Sequence, residues 1–118
     1  MQSENIIEIA INALEHLKGK DITLIDTSDK TDVFDAMIIV TGTSDRHVQS
    51  LADHLLSDAK KNNIDVFGVE RNRSWVLVDL YDVIVHVMLE ETRKFYSLEK
   101  LWQITNISIS SKASTKKT

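Results

Sequence analysis

The sequence predicts an α/β domain: a single mixed sheet of about five strands with three helices, in the order α-β-β-α-β-β-β-α. Three observations point to it. Apolar residues recur at helical spacing in two segments, from Ile6 to Leu17 and from Val48 to Ala59. Short aliphatic runs of strand length lie between and after them. The last two runs, in WVLVDLYDVIVHVM (75–88), are separated by so short a break that they must form an antiparallel hairpin.

Each element has its own local reason. Ser3 can cap a first helix whose apolar stripe is Ile6, Ile9, Ala10, Ala13, Leu14 and Leu17, with Gly19 as its stop. DITLID (21–26) reads as a short strand, DTSDKTDV as a polar turn, and DAMIIVTG (35–42) as a buried strand. Thr43 or Ser44 then caps a second helix, with Asp45 near its positive end and Asn62-Asn63 after it. IDVFGVE (64–70) reads as a third strand and Arg71-Asn72-Arg73 as a tight loop. SWVLVDL (74–80) and VIVHVML (83–89) are strands four and five. EETRKFYSLEKLW (90–102) is a helix, or two divided near Ser97. The domain is expected over residues 1–103. Residues 104–118 read as a polar, lysine-bearing flexible tail. A right-handed crossover is expected from strand two through the second helix to strand three.

The composition removes several function classes. A chain of 118 residues is enough for one domain with a core and too short for two ordinary ones. With no cysteine there is no disulfide, thiolate nucleophile or thiolate metal site. No apolar run is long enough to span a bilayer, and MQSENIIEIA has no secretory pattern, so the expected compartment is the cytoplasm, without membrane contact. The net charge is -4, and the closing segment SKASTKKT carries three lysines and no acid, so the body is more acidic still. Such a body argues against broad contact with phosphate backbones; little direct nucleic-acid contact is expected.

No constellation reaches the level of an enzyme signature. His47 and His54 lie seven apart on one helix, too far along its axis to share an ion, so the histidines His16, His47 and His54 read as solvated and no metal site is expected. Thr41-Gly42-Thr43-Ser44-Asp45 offers backbone N–H groups at a helix start. It lacks a glycine-rich loop and a P-loop lysine, so it reads as ordinary capping. No catalytic residue and no cofactor are expected.

The hairpin is more informative. A two-residue turn at Tyr81-Asp82 pairs Val78 with Val85, Leu77 with His86 and Trp75 with Met88. Alternation then puts Val76, Val78, Leu80, Val83, Val85 and Val87 on one wholly aliphatic face, which must be core. The other face carries Trp75, Leu77, Asp79, Ile84, His86 and Met88. Two readings of that mixed face stay open. Either the C-terminal helix covers it, with Asp79 and His86 satisfying each other, or part of it is an exposed patch that meets a protein.

VTGTSDRHVQSLADHL, WVLVDLYDVIVHVM and EETRKFYSLEKLW, in this order and spacing, resemble the ribosomal silencing factor family, also called RsfS or Iojap. The specific matches are Gly42 to Arg46; Trp75, Asp79, Asp82 and Val85-His86-Val87; and Tyr96, Leu98, Glu99, Leu101 and Trp102. The resemblance covers roughly residues 5 to 102. It implies a nucleotidyltransferase-like core without the transferase's catalytic carboxylates. It implies a protein that is not an enzyme, binds the large ribosomal subunit through ribosomal protein L-fourteen, and sterically blocks joining of the small subunit, repressing translation when nutrients are scarce. Large-subunit assembly is the alternative role, a nucleotidyltransferase-type enzyme a more remote one, and a homodimer a state seen in the family. On this resemblance the partner-binding residues are Trp75, Leu77, Tyr81, Asp82, His86 and Met88, with Trp75 as anchor. Two departures stand out. Many members have glycine where Tyr81 stands, so a different turn is expected, because a bulky residue resists positive φ. The loop after Glu70, Arg71 to Ser74, is also shorter than in many members.

Overall fold

The computed structural model of the chain describes residues 2–98 and 106–108. Its elements are α1 (Gln2–His16), β1 (Lys20–Asp26), β2 (Ala36–Gly42), α2 (Asp45–Lys61), β3 (Gly68–Asn72), β4 (Trp75–Asp79), β5 (Val83–Leu89), α3 (Glu90–Tyr96) and β6 (Asn106–Ser108). The expected order is found, with one strand more. The expected helix beyond residue 98, with Glu99, Leu101 and Trp102, lies outside the described residues, as do residues 109–118. Asn106 to Ser108, expected in the flexible tail, instead pair antiparallel with β1, Ile107 opposite Leu24. That pairing satisfies backbone groups that β1 would otherwise expose.

The six strands lie in the order β3-β4-β5-β2-β1-β6. Among the described residues only β2 and β5 pair in parallel. The expected crossover from β2 through α2 to β3 is present, since β3 runs parallel to β2, but it passes over two strands: β3 lies at the sheet edge, and the adjacent parallel neighbour of β2 is β5. Side-chain chemistry explains the placement. AMIIVTG (36–42) is buried at every position and belongs in the centre. GVERN (68–72) is exposed nearly throughout and suits the edge, where charged residues discourage further pairing. The β3–β4 turn is Arg73-Ser74, with Asn72 opposite Trp75, so strand three is shifted toward its C-terminus relative to IDVFGVE. The polar side of α2 explains the shift. Arg71 ion-pairs with Asp53 and donates to Gln49, and the Gln49 amide donates to the carbonyls of Asn72 and Arg73.

Helices α1 and α2 cover one face of the sheet. Leu14, Val48, Leu51 and Leu55 interlock there with Ile38, Val40, Val76, Val78, Val85 and Val87, all fully buried. Fully burying one such side chain contributes about 1.5–3 kcal/mol. Helix α2 begins at the Ser44 cap, whose hydroxyl accepts from the His47 N–H at 3.0 Å, and ends at Asn62, with Asn63 in the left-handed region. Helix α1 starts at Gln2, so Ser3 lies inside the helix and is not its cap. Lys18 takes the left-handed turn that ends it (φ 63), and not Gly19. Glycine is needed at 19 and 42 for closeness. A Cβ on Gly19 would sit 2.6 Å from Val40 Cγ2, and one on Gly42 would sit 2.7 Å from Val48 Cγ2 and 3.0 Å from the Val48 nitrogen.

Gly42→Ala should therefore lower stability by about 2 kcal/mol through overpacking between β2 and α2. Urea unfolding measures this. A loss under about 0.5 kcal/mol would mean that α2 can back away freely.

Candidate functional site

The hairpin register is the expected one: Trp75 pairs with Met88, Leu77 with His86, Val78 with Val85 and Asp79 with Ile84. The aliphatic face is buried as expected. On the other face Trp75, Leu77, Asp79 and Ile84 are half-buried, His86 is 6% exposed and Met88 is fully buried. Met88 sits among Ile25, Met37 and Ile39, with Phe34, Trp75 and Leu98 packed around them. Met88 therefore offers no surface to a partner.

His86 is not held by Asp79. The Trp75 indole N–H donates to His86 Nδ1 at 2.9 Å. An indole nitrogen can only donate, so Nδ1 must accept, and the proton of the neutral imidazole lies on Nε2. Burial pushes the ring's pKa down from 6.5 to about 4. His86 is thus a neutral acceptor that fixes the Trp75 ring. The Asp79 carboxylate instead accepts from the Tyr81 N–H at 2.8 Å. That bond supports Tyr81 at φ 75, the left-handed conformation that the tyrosine was expected to avoid.

At the other end of the hairpin, α3 closes over the strand ends. Leu89 N–H donates to the Ser74 carbonyl, and Thr92 Oγ1 donates to Ser74 Oγ at 3.0 Å. Arg93 enters the sheet. Its guanidinium donates to the Asp21 carbonyl and to the hydroxyls of Thr41 and Thr23, at 2.8–2.9 Å. This one side chain joins α3 to β1 and β2. Among EETRKFY the sequence distinguishes Arg93 from Lys94 only by helical phase, so its burial was missed. With Arg93 turned inward, Phe95 and Tyr96 point outward, 79% and 52% exposed. Tyr96 lies 4.6 Å from the Trp75 ring and 4.9 Å from Phe95, centroid to centroid. Half-buried Trp75 and exposed Tyr96 and Phe95 make one aromatic cluster, and the last two were absent from the expected contact set.

Not all of the expected residues come together. Trp75, Leu77, His86 and Met88 share the face opposite α1 and α2. Tyr81 and Asp82 stand at the far end of β4, roughly 20 Å from Trp75 at strand rise. The Tyr81 ring turns toward the helix side, stacked 4.9 Å from Phe67, beside Asn5 and Ile6 of α1.

The other histidines are not simply solvated. Thr43 N–H donates to His47 Nδ1 at 2.9 Å, which leaves Nε2–H to donate to the Leu17 carbonyl at 2.7 Å. His47 therefore ties the end of α1 to the start of α2 and occupies a backbone N–H at the α2 entrance. His16 stacks on His54, centroids 5.0 Å apart. Among the described residues no group of three or more histidines and carboxylates is arranged to hold a metal ion, and no helix is long and apolar enough to cross a membrane.

The buried imidazole makes stability depend on pH. The folded-state pKa lies below the unfolded one, so the unfolded chain binds more protons between about pH 4 and 6.5. The stabilisation is complete above 6.5 and is lost as pH falls toward 4. From pH 7 to pH 5 the parent should lose about 2 kcal/mol more than His86→Gln in urea unfolding. Parallel pH profiles for the two proteins would assign the effect to other groups.

Comparison with known proteins supplies the identity. The family model described as "Ribosomal silencing factor during starvation" matches residues 1–118. A Chromobacterium violaceum protein named "Ribosomal silencing factor RsfS" is 46% identical over 104 residues, covering 86% of this chain and 85% of that one. A crystal structure of a Chromobacterium violaceum protein superposes with a TM-score of 0.85 at 44% identity, covering 89% of each chain. A mouse protein named "Mitochondrial assembly of ribosomal large subunit protein 1" is 29% identical over 83% of this chain and 45% of its own length. With a match over its whole length, an aligned crystal structure and the hairpin and α3 residues in the places described, the chain belongs to the ribosomal silencing factor family.

Proposed function

We propose that the protein binds the large ribosomal subunit through ribosomal protein L-fourteen, acts in the cytoplasm without catalysing a reaction, and represses translation by occupying a surface that the small subunit needs. One observation of the structure supports this above others: an exposed aromatic cluster on rigid supports. Trp75 is held by His86 from behind and by Tyr96 from the side, and α3 is fastened by Arg93. Rigid, half-buried aromatic side chains are the usual anchors of a protein interface, because they gain contact area without losing much side-chain freedom. Trp75 and Leu77 are the proposed contacts, joined by Tyr96 and Phe95. His86 and Met88 support them from below.

Steric occupancy needs no catalytic group, and the carboxylate that the hairpin gives this face, Asp79, has structural work: it holds the turn. The acidic body favours a protein contact on the ribosome over an RNA contact. The name of the mouse relative favours a second reading, in which binding to the large subunit serves its assembly. Both readings require the same docking and differ in which large subunits carry the protein, mature or precursor.

Purified protein should co-sediment with isolated large subunits and not with small ones. Trp75→Ala and Tyr96→Ala should each weaken this at least tenfold, about 1.4 kcal/mol or more, while circular dichroism stays native. Migration with the small subunit, or normal binding by both variants, would refute the assignment.

A further inference from the structure

The end of the sheet opposite Trp75 carries a second aromatic surface. Phe67 and Tyr81 are 61% and 59% exposed, and their rings stack on each other. Between α1, the α2–β3 connection and the β4–β5 turn they border a cleft whose lining includes the acidic residues Asp65 and Asp82 and the amide residues Asn5 and Asn63. Among the described residues no lysine or arginine lines it; Lys60 and Lys61, which end α2, are not among its walls. Among the described residues neither Asp65 nor Asp82 has an ion-pair or side-chain hydrogen-bond partner.

The backbone makes this surface notable. Tyr81 occupies a left-handed position, φ 75, where a non-glycine residue is strained. Glycine would meet the turn's need without that strain. What the tyrosine adds is an exposed ring beside Phe67. Strain retained at an exposed aromatic residue fits a binding role better than a folding one.

We propose that this cleft is a second docking site, distinct from the Trp75 face, and that it takes an arginine- or lysine-bearing extended segment of a partner protein. Charge selects the occupant. Two unpaired carboxylates repel phosphate and attract a cation, while the faces of Tyr81 and Phe67 accept a guanidinium or ammonium group by cation–π contact. The amides of Asn5 and Asn63 can bond a peptide backbone passing between the helices and the turn. The site does not depend on the Trp75 face binding the ribosome. It would let the protein hold a basic segment while docked elsewhere.

The test is a titration of ¹⁵N-labelled protein with the capped peptide Gly-Arg-Gly-Arg-Gly, and with Gly-Glu-Gly-Glu-Gly as control, followed by amide chemical shifts. The arginine peptide should give saturable shifts in the amides of Asp65 to Phe67 and Leu80 to Asp82 and leave the Trp75 indole signal in place. Affinity should fall at least tenfold in Tyr81→Gly, whose backbone suits the turn, and in the double variant Asp65→Asn, Asp82→Asn. Phe67→Ala should weaken peptide binding likewise and keep large-subunit co-sedimentation. Absence of saturable shifts at the cleft, an equal response to the glutamate peptide, or unchanged affinity in Tyr81→Gly would overturn the proposal. Loss of large-subunit binding in Phe67→Ala would also overturn it, by making the two surfaces one. Failure of the ribosome reading alone would appear as Trp75→Ala and the parent both failing to sediment with large subunits while peptide binding persists.

Discussion

The register of the β4–β5 hairpin is the constraint on which the rest of the structure depends. Side chains alternate along a strand, so a slip by one residue would move every one of them to the opposite face. In the observed register six aliphatic side chains reach the α1–α2 core, and Trp75, Leu77 and His86 reach the other side. The short turn enforces this. Leu80 N–H donates to the Val83 carbonyl and Asp79 caps the Tyr81 amide, so the loop has no slack. Central position adds to the effect: β5 pairs with β4 on one side and with β2 on the other, and an altered register would disrupt both ladders.

Polar groups shape the open face more than apolar packing does. Helix α3 is short and has only Arg93 buried among its residues. The guanidinium reaches hydroxyls on two strands and so fastens α3 without an apolar stripe. Aromatic side chains that would otherwise have been needed for packing are left in solvent beside Trp75. His86 acts in the same sense. Because it is neutral it can be buried, and because it accepts a hydrogen bond it holds the indole at the edge of the face. Such a rigid, partly exposed aromatic group suits the proposed role of occupying a partner's surface.

The hairpin, the α2 cap and the apolar stripes of α1 and α2 were legible because each follows from a local rule of period, turn length or capping. The candidate face was legible in part. Alternation separated Trp75 and His86 from the valines, and the resemblance attached a partner to them. Tyr81 and Asp82 were grouped with Trp75 because they share a hairpin, but strand length and the turn's left-handed residue carry them to another side. Phe95 and Tyr96 were left out of the expected contact set, though Tyr96 carried part of the resemblance, because a helix this short has no clear apolar stripe to show which residues face inward.

The sequence by itself determined the α/β class, the order of helices and strands, the pairing of β4 with β5 and the acidic body, since these depend on neighbours within a few residues or on composition alone. Only the tertiary structure decided that β2 lies beside β5 with β3 at the edge, that β6 pairs with β1, that Arg93 enters the sheet, and that Trp75 and not Asp79 holds His86. Those outcomes join residues far apart in the chain, or choose among several partners equally near. Burial and hydrogen bonding make that choice only when the whole sheet is assembled.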